Sequence, residues 1–155
     1  LLFIPGTMPF PGGRRHPSIS RILVSTWASV VNGRANWGIP KDRAEFDWAR
    51  NEGGDHWRVT SAGRELCSLE FAEPSGVRLP LRSSWVPRRL GTLAQQLDGR
   101  TYYCRPEATG DLRLCRVRQW RFDPELFPDL SRATVLTALR IEGFTMVFPV
   151  ARIVA

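Results

Sequence analysis

The segment "HWRVTSAGRELCSLEF", residues 56–71, gives the clearest indication of the fold class. Two strand-like runs, 57–61 and 65–71, flank the dipeptide Ala62-Gly63. Alternation of apolar and polar residues is typical of strands with one buried face. A two-residue connection that ends in glycine is typical of a tight hairpin turn. The segment therefore predicts a pair of antiparallel strands.

Similar strand patterns lie on both sides of this hairpin. Residues 20–26 are rich in β-branched side chains, and residues 43–50 alternate as a strand with one buried face. The dipeptide Asp98-Gly99 predicts another turn that leads into a strand. Short strands separated by turn residues at intervals of about ten residues are typical of all-β proteins.

The C-terminal third of the chain continues this strand pattern. Residues 111–122 alternate, with Leu112 and Leu114 expected to face inward. The final segment, 137–155, is strand-like, and we expect a break at Gly143.

Two segments favour short helices. Residues 27–38 predict a helix that ends near Asn32-Gly33. "DPELFPDL" predicts a short turn or helix with Asp123 as the N-cap residue. Together, the patterns predict a mainly β protein, built as an antiparallel curled sheet or cone-like β-barrel with two or three short helices.

Composition narrows the functional classes. The 155 residues suit one domain, spanning 1–155, and 43% apolar residues is ordinary globular composition. No apolar run approaches the roughly 20 residues that a membrane span needs, so we expect no membrane partner.

The opening "LLFIPGTMPFPGG" lacks a basic segment before its apolar part, unlike a secretory signal. It begins in the middle of a strand-like run, so we expect the chain to lack an N-terminal part.

The net charge of +7 arises from 21 arginines and one lysine against 15 acidic residues. These charges are spread along the sequence, so we expect no nucleic-acid partner.

The chain has three cysteines, and no pair has the spacing of metal ligands. We therefore expect free, buried thiols, a reducing cytoplasmic location and no metal site.

The lone lysine, Lys41, has unusual neighbours. It follows Trp37, Gly38 and Pro40 in "NWGIPK". An amine is a nucleophile only when neutral, and at a pKa of about 10.4 only about one lysine in 2,500 is neutral at pH 7. Burial in an apolar pocket lowers the pKa of an amine by several units. Gly38 permits close backbone approach, and Trp37 offers an apolar wall.

The alternative is a solvated lysine beside an ordinary turn. Asp42 bears on the choice, because a nearby carboxylate raises the pKa of an amine. In an extended segment Lys41 and Asp42 point to opposite faces, so they need not pair.

The run "SVVNGRANWGIPKDRAEFDW", residues 29–48, resembles the acetoacetate decarboxylase family. Gly33, Arg34, Pro40 and Lys41 match a Gly-Arg pair followed by Pro-Lys in that family. The opening "LLFIPG" and the ending "FTMVFP" are also similar. The chain departs from the family at Asp42, where the classical decarboxylases have a second lysine.

The resemblance implies a cofactor-independent carboxy-lyase. Lys41 would form a Schiff base with a β-keto acid such as acetoacetate, in a pocket that includes Arg34, Gly33, Trp37 and Pro40. Arg34 would either bind the substrate carboxylate or support the loop through hydrogen bonds. The resemblance also implies a homo-oligomer and a family glutamate that would precede Leu1.

Two other functions remain open. One is Schiff-base aldolase or dehydratase chemistry on another keto acid. The other is a non-catalytic small-molecule-binding protein that keeps the fold.

Overall fold

The computed structural model of the protein describes residues 1–154, and strands dominate them. The strands are β1 (Leu2–Phe3), β2 (Thr7–Pro9), β3 (Arg15–Pro17), β4 (Arg21–Val24), β5 (Lys41–Arg43), β6 (Glu45–Asn51), β7 (Gly54–Ser61), β8 (Arg64–Ala72), β9 (Ser75–Arg82), β10 (Leu93–Leu97), β11 (Arg100–Cys104), β12 (Glu107–Cys115), β13 (Val117–Phe122), β14 (Ala138–Val147) and β15 (Arg152–Val154). The helices are α1 (Trp27–Trp37), α2 (Arg88–Gly91) and a single 3₁₀ turn (Ser83–Trp85). The mainly β class and the short helices are confirmed.

The chain divides into two compact units, both discontinuous in sequence. The first contains 1–43, 82–109 and the C-terminal segment from Thr145, and the second contains 44–81 and 110–144. The assignment of residues 1–155 to one acetoacetate decarboxylase-like domain stays a prediction.

The first unit contains a β-α-β crossover. Strands β4 and β5 pair in parallel, with Ile22 opposite Lys41 and Leu23 opposite Asp42, and β1 pairs antiparallel with β4. Parallel neighbours need a crossover connection, which α1 provides here. The same unit contains the three-stranded sheet β10-β11-β15 and the small pair β2-β3.

The second unit is built mainly from two sheets. The larger has the order β13-β8-β7-β6, and its described pairs are antiparallel. The other has the order β14-β12-β9. Its core includes Val59, Leu66 and Cys67, which are almost fully buried.

Both predicted hairpin turns are confirmed. Ala62 and Gly63 connect β7 to β8, and Asp98 and Gly99 connect β10 to β11. All four residues have positive φ, between 49° and 78°. This backbone matches the twist of the flanking strands, which explains the dipeptides at these positions.

The expected cone-like β-barrel is not formed by residues 1–154. Their strands lie in separate sheets, and none of these sheets closes on itself. The parallel pair β4-β5 also departs from the antiparallel arrangement that we expected. Alternation along a strand predicts which faces are buried, but it does not predict which strands become neighbours.

Several local expectations were wrong. Strand β14 runs through Gly143, whose φ of 56° fits glycine, and the chain leaves the strand only after Val147. Leu114 is 59% exposed instead of buried, and Trp48 is 54% exposed on β6, where the alternation predicts one buried face. At Asp123, by contrast, the first of the two predicted alternatives, a turn, is confirmed: the Asp123 side chain accepts from the Glu125 backbone N–H at 2.9 Å.

Within residues 1–154, no helix has the length and apolar character needed to cross a bilayer.

Helix α1 has caps at both ends and is longer than expected. The Thr26 hydroxyl accepts from the Ser29 backbone N–H at 3.2 Å, which satisfies one of the free donors at the helix start. At the other end Gly38 takes the left-handed conformation, with φ 60°, and donates to the Arg34 carbonyl. The predicted end near Asn32-Gly33 is therefore wrong by about one turn.

Gly38 also lies against the ring of Tyr102 on β11. A Cβ atom at this position would overlap that ring. Gly38→Ala should therefore lower the free energy of unfolding by about 2–4 kcal/mol, from left-handed backbone cost and ring displacement together. Gly99→Ala is the matched control, since Gly99 has φ 74° and open space around it. It should cost only about 1 kcal/mol. Urea unfolding of both variants checks this, and equal losses would contradict it.

Candidate active site

Lys41 lies at the start of β5, immediately after a tight turn. Its backbone N–H donates to the Ile39 carbonyl at 2.8 Å, which closes a three-residue turn centred on Pro40. The fixed φ of proline suits this turn, and Ile39 before it is almost fully buried. The "GIPK" sequence therefore fixes the direction in which the chain enters β5.

The Lys41 side chain crosses α1 directly above Gly33. A Cβ atom at Gly33 would overlap Cδ of Lys41 and lie 2.5 Å from Cε. Gly33 is buried and lies inside the helix, where glycine costs about 1 kcal/mol relative to alanine. Glycine at this position makes the helix less stable, but it leaves the space that the lysine stem occupies.

The Lys41 amine has a neutral hydrogen-bond partner. Nζ lies 3.2 Å from Oγ of half-buried Ser29, which is four residues before Gly33 on α1. Residues four apart share one helix face, so Ser29 and Gly33 together form the floor under the lysine side chain. Burial lowers the pKa of the Lys41 amine below its ordinary value of 10.5.

Asp42 is held away from this amine by two arginines. Arg21 Nη1 contacts Asp42 Oδ2 at 2.8 Å, and Arg34 Nη2 contacts Oδ1 at 2.8 Å. Within residues 1–154, no carboxylate forms an ion pair with Lys41. Asp42 is thus paired with Arg21 and Arg34, in keeping with the inference that it need not pair with Lys41.

Arg34 also supports the backbone of β5. Its Nε donates to the Lys41 carbonyl at 3.0 Å, in addition to the contact with Asp42. These two contacts match the supporting role that the sequence left open, and the role in substrate binding stays a prediction.

Trp37 is engaged in packing within the first unit. Its indole N–H donates to the Pro149 carbonyl at 2.8 Å, and its ring lies 5.5 Å from that of Phe148, centre to centre. These aromatics pack against buried Tyr102 and Cys104. The expectation that Trp37 lines a substrate pocket stays a prediction.

The sequence did not identify Ser29 or Arg21 as parts of this site. Ser29 could have been recognised from its spacing of four residues to Gly33, given a helix that continues beyond Gly33. Arg21 had no such signal, because its contact with Asp42 depends on the parallel pairing of β4 and β5.

The cysteines are free, and burial raises the pKa of all three thiols, that of Cys67 to about 11. Cys67 and Cys104 are buried and Cys115 is half-buried, which agrees closely with the expectation of buried thiols. In residues 1–154, no three His, Cys, Asp or Glu side chains lie together in a way that could hold a metal ion.

A comparison of the chain with models of known protein families, and with curated proteins, gave no match. The resemblance of residues 29–48 to the acetoacetate decarboxylases therefore stays a prediction.

The lowered pKa of Lys41 has a consequence for stability. Between the folded-state pKa of Lys41 and 10.5, the unfolded chain binds more protons than the folded protein, so stability should rise with pH. The free energy of unfolding of the wild type, relative to Lys41→Met, should therefore increase as pH rises towards 10.5. Urea unfolding at a series of pH values measures this difference. A difference that is constant or falls with pH would contradict the burial of the charged amine.

Gly33→Ala tests the close approach directly. The added methyl group must displace the Lys41 stem, so the pKa of the amine should return towards 10.5. Alanine should stabilise the helix by up to about 1 kcal/mol relative to glycine. Displacement of the Lys41 stem should offset this gain. The pH dependence of amine acetylation, mapped to the Lys41 peptide, reports this pKa. Asn32→Ala, at the exposed neighbouring position, is the control and should leave the pKa unchanged. An unchanged pKa in Gly33→Ala would show that Gly33 does not position the amine.

Proposed function

We propose that the protein is a Schiff-base enzyme that decarboxylates a β-keto acid such as acetoacetate, with Lys41 as the nucleophile. The observation that carries this proposal is the buried lysine stem over Gly33, with its amine beside a neutral hydroxyl and its neighbouring carboxylate paired elsewhere. A desolvated amine without a carboxylate partner loses its proton more easily than a solvated one.

The reaction begins with attack of neutral Lys41 Nζ on the ketone carbon. Loss of water gives a cationic iminium that is conjugated to the bond holding the carboxylate. That carbon–carbon bond breaks, its electron pair neutralises the iminium to an enamine, and CO₂ leaves. Protonation of the enamine carbon and hydrolysis then release the ketone and restore the amine.

The same burial assists the bond-breaking step. The iminium and the substrate carboxylate carry opposite charges, and both charges disappear when CO₂ leaves. A poorly solvated site disfavours separated charges, so it favours the neutral enamine and CO₂ over the charged intermediate.

Two neighbouring groups have roles in this proposal. The Ser29 hydroxyl accepts a hydrogen bond from Nζ and orients the amine towards the ketone. Arg34 uses Nε and Nη2 for β5, and its Nη1 has no hydrogen-bond partner within residues 1–154. Nη1 is thus available to a substrate carboxylate, while Gly33, Trp37 and Pro40 shape the surroundings of Lys41.

We also propose a homo-oligomer. The sheet β14-β12-β9 carries exposed apolar side chains, including Val77, Leu79 and Phe144. Apolar surface of this kind is commonly covered by another subunit.

Borohydride trapping with acetoacetate tests the proposed chemistry. Reduction of the Schiff base should leave a stable adduct on the Lys41 peptide, identified by mass spectrometry. Lys41→Arg should abolish the adduct, since a guanidinium is not nucleophilic at neutral pH. The matched control is Lys41→Arg combined with Arg43→Lys, which moves the lysine to an exposed position on the same strand. This control should also fail to trap.

Release of CO₂ then distinguishes the reactions. Trapping with CO₂ release supports the decarboxylase, and trapping without it indicates aldolase or dehydratase chemistry. Absence of trapping in the wild type, or equal trapping by the displaced lysine, would overturn the Schiff-base proposal.

A further inference from the structure

The positive charge of the protein is concentrated in its first unit. That unit has twelve Lys and Arg residues against three Asp and Glu, a net charge of +9. The second unit has ten against twelve, a net charge of −2, and the two together give the chain's +7. The even spread along the sequence therefore conceals a strongly cationic unit.

Half of those cations line one cavity of about 1000 Å³, which we term the arginine cleft. Six arginines contribute to its wall: Arg14, Arg15, Arg88, Arg89, Arg105 and Arg152. They come from the turn before β3, from β3, α2 and β15, and from the residue after β11. Among residues 1–154, no acidic residue lines the cleft.

The six guanidinium groups have no neutralising partners within residues 1–154. The ion pairs of that part of the chain involve other arginines, among them Arg21, Arg34 and Arg64. Like charges gathered around one cavity repel each other, and this repulsion opposes the compact state. A bound anion would remove that cost.

Several of the guanidinium groups are held in fixed positions. Arg15 Nε donates to the Thr7 hydroxyl at 3.3 Å, and Arg105 Nη2 donates to the Val86 carbonyl at 2.9 Å. The Arg152 guanidinium lies 4.5 Å from the centre of the Tyr103 ring. Donors held in place by the protein lose less conformational freedom when they bind a ligand.

His16 adds a further polar group to the wall. Its ring packs edge-on against that of Tyr103 at 5.4 Å, and its buried Nδ1 has no hydrogen-bond partner among the described residues. Buried polar atoms without partners are uncommon in folded proteins.

We propose that the arginine cleft binds a small ligand with two or more linked phosphate groups, such as a nucleoside di- or triphosphate. Linked phosphates supply several negative charges within a short chain. Guanidinium groups bind phosphate oxygens in a planar, two-pronged geometry. A cavity of about 1000 Å³ lies at the upper end of the range for small-ligand sites, which suits a nucleotide-sized molecule. This site is independent of Lys41 and of the proposed decarboxylation.

Calorimetric titration of the full chain at constant ionic strength tests the site. The probes are tripolyphosphate, ATP and adenosine. Tripolyphosphate and ATP should each bind saturably with one site per chain, and adenosine alone should bind far more weakly. Equal affinities for the first two would indicate recognition of the phosphates alone. Tighter binding of ATP would show that the base also contributes.

Two double variants distinguish the cleft from the general positive field. Arg88→Gln/Arg89→Gln removes two exposed cleft residues, and we expect the Kd for tripolyphosphate to rise about tenfold or more. Arg43→Gln/Arg100→Gln removes the same charge from exposed positions of the same unit outside the cleft. This control should change the Kd by less than about threefold, since screened charges at a distance contribute little.

Three results would overturn the proposal. The first is no saturable binding of tripolyphosphate or ATP to the wild type. The second is an equal loss of affinity in both double variants. The third is tighter binding of a single-stranded oligonucleotide that both variants weaken equally, which would indicate a general polyanion surface.

Discussion

The passage of the Lys41 side chain over the bare backbone of Gly33 is the contact on which the candidate site depends. It buries the lysine stem against α1 and brings Nζ to the Ser29 hydroxyl at 3.2 Å. A larger residue at position 33 would force the stem outward, where water would solvate the ammonium. The helix therefore carries glycine at an interior position although alanine would make a more stable helix.

The pairing of Asp42 with two arginines matters for the pKa of the Lys41 amine as much as burial does. A carboxylate about 4 Å from an ammonium stabilises it by about 4 kcal/mol at an effective dielectric constant of 20. At 1.36 kcal/mol per pKa unit, that attraction would raise the pKa by about three units, in the direction opposite to the effect of burial. Arg21 and Arg34 prevent this by binding both oxygens of Asp42. The parallel pairing of β4 with β5 places Arg21 near enough to take part.

Local features of the fold could be predicted from the sequence, and features that depend on distant contacts could not. The turns at Ala62-Gly63 and Asp98-Gly99 follow from residues that tolerate positive φ, whatever surrounds them. The sequence pattern misplaces the end of α1 because glycine is typical of a helix stop, whereas Gly33 lies inside the helix. Glycine at position 33 leaves space for the side chain of Lys41, which comes from the later strand β5.

The arginine cleft could not be predicted from the sequence either, because it also depends on contacts between distant residues. Arg14-Arg15 and Arg88-Arg89 are more than 70 residues apart in the sequence and meet only because α2 packs near β3. The distribution of arginines along the sequence does not show which of them become neighbours in the folded protein. The Lys41 site is different, because most of its parts lie within residues 29–42, a short segment whose helix and turn bring them together.

The most direct measurement is titration of the Lys41 amine itself in the folded protein. Since the chain has one lysine, isotope-labelled lysine gives a single side-chain NMR signal that needs no assignment. We expect a pKa below 10.5, because partial burial desolvates the amine and no carboxylate of residues 1–154 forms an ion pair with it. A pKa at or above 10.5 would mean that the amine is solvated or paired with a carboxylate, and it would contradict the proposed nucleophile.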